Sequence, residues 1–237
     1  MKRGIPYLLV QIPMLAFLIG YAWDWTTFAN ATIFMLYLGV ILLPAWIIYR
    51  QSRSDDPEEP VHHLGRYAVY ALVPYAVYDL ARVPTYYLLD APYWDRWYDF
   101  GSQLTGIPAG WATLVTGTLV HMVQGYVLGL GFYILFRHHS LRNALLYLFV
   151  FLSLVYSWTF PTFILSSPTT PSFYFNVWWA HLWMALAAWF TPIAHQQLWP
   201  RLRSRGGRTA GVAGVSVIYL FPFGFAFWQA SLLGPPI

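Results

Sequence analysis

An aspartate and an arginine, Asp79 and Arg82, stand three residues apart inside the stretch VPYAVYDLARVPTYYLLD, which is otherwise fit for lipid. A charge at the centre of a bilayer costs a few kcal/mol or more unless it is paired or hydrated, so such residues mark a functional site by default. One chemistry open to them is proton transfer, because a carboxylate near a histidine sets the protonation state of the imidazole and makes an acid and base pair. Two histidines in other apolar runs, His121 and His181, are the partners to consider. The plainer alternative is that Asp79 and Arg82, on one helical face, neutralise each other and cross-link helices.

The elements that must position these groups are membrane helices. Hydrophobic residues make up 58% of the 237 and charged residues 9%, with a positive mean hydropathy, which is too apolar for a soluble domain and suits a polytopic membrane protein. Windows of about 20 apolar residues predict seven transmembrane helices near 4–22, 29–49, 65–89, 110–136, 143–165, 171–195 and 209–232, an all-α bundle forming a single domain over 1–237. The start MKRGIPYLLV has the basic flank of a signal peptide, but its apolar run continues without a small-residue cleavage site and reads as a retained first helix.

Lys2, Arg3, Arg50, Arg53, Arg66, Arg137, Arg142 and the cluster RLRSRGGR all fall on one side of this arrangement. The positive-inside rule makes that side cytoplasmic, with the N-terminus inside and the C-terminus on the opposite side. The net charge of +4 therefore reports topology rather than nucleic-acid binding. The outer segment APYWDRWYDFGSQLTGIPAG, rich in aromatics, is expected to lie at the interface as a lid.

Asp79 lies ten residues before the outer end of the third span, His121 eleven residues into the fourth and His181 ten into the sixth. At 1.5 Å per residue all three sit roughly 15 Å deep, near the middle of a hydrocarbon core about 30 Å thick. Gly117, His121, Gly125 and Gly129 form one i, i+4 stripe, which lets another backbone approach and turns His121 into the bundle. Trp178, His181, Ala185 and Ala188 form a similar stripe. The candidate catalytic set is thus Asp79, His121, His181 and Arg82, walled by Tyr75, Tyr78, Gln124, Tyr156, Trp178 and Trp183 as substrate-binding residues, with Ser153 nearby.

The stretches YDLARVPTYYLLD, FRHHSLRNALLYLFVF and AHLW, together with Gly125 seventeen residues before Arg142, resemble the four-helix core of the EXPERA group over roughly residues 70–195. That group includes the emopamil-binding sterol isomerase and the sigma-2 receptor. The resemblance implies a membrane-embedded cavity for sterol-like or cationic amphiphilic ligands and, as in the isomerase, a double-bond shift through a carbocation. The isomerase has a His and a Glu one turn apart where Val77 and Ala81 stand here, and its acidic residue on the next helix falls near Gly117. Its own catalytic set is therefore absent, and the neighbouring Asp79, Arg82 and His121 would have to substitute.

Three functions fit these residues. The first is a membrane isomerase or cyclase that moves a proton on a hydrophobic isoprenoid or sterol-like substrate, with no cofactor and with aromatic faces stabilising positive charge on carbon. The second is a b-type haem protein with His121 and His181 as axial ligands. The third is a non-catalytic ligand-binding or accessory subunit of a larger membrane complex, or a homo-oligomer. The only lysine is Lys2, which excludes a retinal Schiff base within a helix. The absence of cysteine excludes thiolate metal sites and thiol catalysis. The doublets His62, His63 and His138, His139 have no further ligand at fixed spacing, so no metal site is expected there.

Overall fold

The structure is a computed structural model that describes residues 60–89, 95–136, 138–154, 171–198 and 205–233, with Asn30, Ile48, Tyr49, Arg53, Asp55, Ser157 and Pro200 besides. The expected span 4–22, nearly all of 29–49 and the site candidate Tyr156 lie outside the described residues. A short 3-10 turn, Pro60–His63, leads into helix α1, Leu64–Leu89; α2, Asp95–Thr105, and α3, Trp111–Leu135, follow. Then come α4, Leu141–Leu154, α5, Pro171–Leu198, and α6, Arg205–Leu233. The described residues are all-helical and contain no strand.

Helix α3 carries no charge and no proline, and it is the one described helix long and apolar enough to cross a membrane. Its first turn is closed by Thr113, whose Oγ1 accepts from Gly110 N and donates to Gly110 O, both at 2.8 Å. The extended backbone of Phe136 ends it. The apolar character of α1 is diluted by Arg66, Asp79, Arg82, two internal prolines and a row of tyrosines, and that of α5 by Asn176, His181, His195 and four tryptophans. This is why helices of 26 and 28 residues at the expected positions do not pass the same test.

Helix α4 differs from the regular helix that its sequence suggests. Ser140 caps it, its Oγ accepting from Asn143 N at 3.3 Å, and after one turn the segment Leu145–Phe151 winds as a π-helix. Each π turn takes one more residue than an α turn, so the residues beyond it face a different side than 3.6-residue spacing gives.

Helix α1 is central, packing against α3, α5 and α6, while α5 also packs against α4. Where α1 meets α3, glycines set the spacing: a Cβ on Gly125 would fall inside the Tyr75 ring, and one on Gly129 would lie 3.1 Å from Ala71 O. The core continues through Tyr70, Phe132, Tyr133, Leu148, Leu152 and Met184, and Tyr133 donates its hydroxyl to Ala188 O at 2.9 Å. The outer segment expected as a lid contains α2, which lies along the first turns of α3 with Tyr98 buried and Gly101 against the Thr113 backbone. Gly106, at φ 72°, makes the turn between the two helices.

Large apolar side chains are exposed on the long helices. Leu119 and Val123 on α3, Phe151 and Leu154 on α4, Phe175 and Phe190 on α5, and Val217 and Leu220 on α6 are all exposed.

Candidate functional site

Two of the three charged residues of α1 are inside the bundle: Asp79 is 1% exposed and Arg82 5%, while Arg66 in the first turn is exposed. Asp79 meets α3 through His121, whose Nε2 lies 3.0 Å from Asp79 Oδ1. With Asp79 ionised the carboxylate accepts and this nitrogen carries the hydrogen; the contact fixes the orientation of the imidazole. The glycine stripe brings the two together. Gly125, one turn along α3 from His121, gives up its side-chain volume to Tyr75, one turn along α1 from Asp79.

Arg82 reaches across to α5, donating from Nε to Asn176 Oδ1 at 3.2 Å and from Nη1 to the Tyr78 hydroxyl at 3.1 Å. Its guanidinium also lies 5.3 Å from the centre of the Tyr78 ring, within cation-π range. Tyr78 links the whole site, with ring centres 5.9 Å from His121 and 5.1 Å from His181. His181 is 2% exposed and its Nδ1 lies 3.2 Å from Ser153 Oγ, the second α4 residue after the π segment.

Tyr75 packs edge-on to His121 at 5.4 Å and meets Tyr219 of α6 at 5.5 Å, so the last helix closes the site over the same ring. The Asp79 carboxylate, the Arg82 guanidinium, the imidazoles of His121 and His181, and two of the three expected tyrosines, Tyr75 and Tyr78, are therefore gathered in one network.

Of the other expected wall residues, two tryptophans make contacts of their own. Gln124 is buried on α3. Trp178 donates from Nε1 to Ser157 Oγ at 3.0 Å and packs edge-on to Phe149. Trp183 points outward, 40% exposed, with its ring against Trp179 at 5.6 Å. Asn176 and Tyr219 belong to the site and were not among the expected residues. An amide in the apolar run of the sixth span was a usable signal for Asn176, whereas Tyr219 had none that set it apart from the other tyrosines.

A haem clamped between His121 and His181 would share its site with other contacts of both rings. The Nε2 of His121 faces Asp79, and Tyr78 packs against both imidazoles, so a porphyrin would have to displace both contacts. Among the described residues no group of three or more His, Asp or Glu side chains is placed to hold a metal ion. Comparison with protein-family models, with curated proteins and with solved structures found no match.

Proposed function

We propose that the chain is a multi-pass integral membrane protein, a bundle of seven spans with the N-terminus cytoplasmic and the C-terminus on the opposite side. Its interior would act as an isomerase or cyclase on a hydrophobic isoprenoid or sterol-like substrate. The observation that carries this reading is the Asp79 and His121 pair at 3.0 Å, buried among tyrosines in a bundle that exposes large apolar side chains. Polar groups inside and large apolar side chains outside are the distribution a bilayer demands. The resemblance to the EXPERA core points to the same class of ligand.

In this mechanism His121 is the proton-transfer group, since 13% of its side chain is exposed against 2% for Asp79. Asp79 orients the ring and offsets the charge of the imidazolium. The proton passes from His121 to an alkene carbon of the substrate. The resulting cation is stabilised by the faces of Tyr75 and Tyr78, and loss of a proton from a neighbouring carbon returns it to His121. Nothing is oxidised or reduced, so the step needs no cofactor.

A second reading, a ligand-binding or accessory subunit, is favoured by the row of Phe175, Trp179 and Trp183, whose rings follow one another at 6.0 and 5.6 Å and whose exposed members, Phe175 and Trp183, could meet partner helices. Lipid extracts of membranes expressing the wild type, Asp79→Asn or His121→Ala separate the two. Chromatography with mass spectrometry is expected to show an isomer or cyclised product with the wild type alone, while both variants remain folded and monodisperse. Identical extracts from all three favour the non-catalytic reading.

A further inference from the structure

Two buried tyrosines have partners for their hydroxyls: Tyr133 donates to Ala188 O, and Tyr78 accepts from Arg82. Tyr70 is different. Its ring packs against His195 at 5.3 Å and against Tyr133 at 5.4 Å, and the residue is 5% exposed. Its hydroxyl nevertheless makes no hydrogen bond to any described residue, and the oxygen is not sealed from the surface. It is a fixed O–H donor waiting for an acceptor.

Arg66 lies one turn before Tyr70 on α1, on the same face. The Cα–Cβ bonds of a helix tilt toward its N-terminus, so the Tyr70 phenol reaches back over the turn that carries Arg66. The guanidinium acts electrostatically on the Tyr70 hydroxyl and on His195, near the end of α5. Arg66 is exposed and has neither a hydrogen bond nor an ion pair among the described residues, whose acids are Asp55, Asp79, Asp95 and Asp99. An uncompensated guanidinium beside an unpaired O–H donor and an imidazole calls for an anion with several acceptor oxygens.

We propose that Arg66 and Tyr70 hold the phosphate of an anionic phospholipid where α1 enters the bilayer, with His195 beside it. The proposal rests on the reading of the chain as a multi-pass membrane protein and not on its catalysis. Arg66 is the third residue of α1 and stands at headgroup level. Val69, about 4.5 Å further along the axis, is 46% exposed, so an apolar surface for an acyl chain begins next to the charged group. The guanidinium fork matches two phosphate oxygens and the phenol a third. A headgroup with net negative charge is favoured over a zwitterionic one, whose ammonium would face the same arginine.

The test is thermal unfolding of the full-length protein in detergent, followed by tryptophan fluorescence, with added dioleoyl phosphatidylglycerol, dioleoyl phosphatidylcholine or glycerol phosphate. Phosphatidylglycerol is expected to raise the melting temperature by several degrees, and the other two to leave it within about a degree of the lipid-free value. Arg66→Gln is expected to weaken phosphatidylglycerol binding about tenfold or more, and Tyr70→Phe, which keeps the ring contacts, about three- to tenfold. Both variants are expected to melt like the wild type without lipid. Arg142→Gln, at an exposed arginine of α4, is the control and keeps the full shift.

No shift with any lipid, equal shifts with the two lipids, a full shift in Arg66→Gln or Tyr70→Phe, an equal loss in Arg142→Gln, or a lower melting temperature of Arg66→Gln without lipid would each overturn the site. A shift with glycerol phosphate alone would overturn the lipid in favour of a soluble phosphate ester. Failure of the membrane reading is a separate result, seen when the protein is recovered from the soluble fraction without detergent.

Discussion

Asp79→Ala is expected to be the most damaging single substitution in the bundle, lowering stability by about 3–5 kcal/mol in thermal or denaturant unfolding of the detergent-solubilised protein. Removing one partner of a buried polar network leaves the others uncompensated, and here the carboxylate faces the His121 imidazole one turn from the Arg82 guanidinium. Asp79→Asn keeps the size and an acceptor oxygen, so its loss is expected to be smaller, which is why it and not the alanine variant serves to test activity. Equal stability of Asp79→Ala and wild type would mean that the pair is hydrated and not buried as described.

Gly125→Val is expected to cost about 1–3 kcal/mol by overpacking and also to disable the site. Its Cβ would fall inside the ring of Tyr75, which is 0% exposed and held between His121 and Tyr219, so the ring has nowhere to go. Helices α1 and α3 must then separate, and the Asp79 and His121 contact, one turn away, lengthens beyond hydrogen-bond reach. Gly65 is the control, since a Cβ there meets nothing within 4 Å and Gly65→Ala is expected to be neutral or slightly stabilising. A Gly125→Val protein with wild-type melting and lipid conversion would contradict the close approach of the two helices.

Much of the site was legible because depth and periodicity are properties of single segments. The level shared by Asp79, His121 and His181, and the glycine stripe that turns His121 inward, are both readable from spacing, and the structure places these groups in one network. The bonding of Arg82 was not. Its spacing from Asp79 suggests pairing on one helix, whereas its bonds run to Tyr78 and to Asn176, 94 residues away, and no local pattern names a partner on another helix.

The π segment of α4, which packs against α5, was equally hidden, since it leaves no mark in an apolar run such as LLYLFVF. The outward direction of Trp183 could have been read. It lies five residues from Trp178, about 140° around a regular helix and so off the face that carries His181. The positions of α1, α3, α5 and α6 follow the apolar windows closely, and among the described helices α3 alone is long and apolar enough to cross a membrane.

Deuterium labelling tests the central claim most directly. The wild-type protein and the His121→Ala variant, in membranes suspended in D2O, are incubated and their lipids extracted and weighed by mass spectrometry. If His121 protonates carbon, one isoprenoid or sterol-like species gains one or more carbon-bound deuterons with the wild type and none with His121→Ala. Lipids with no carbon-bound label above the variant's background would contradict proton transfer at this site.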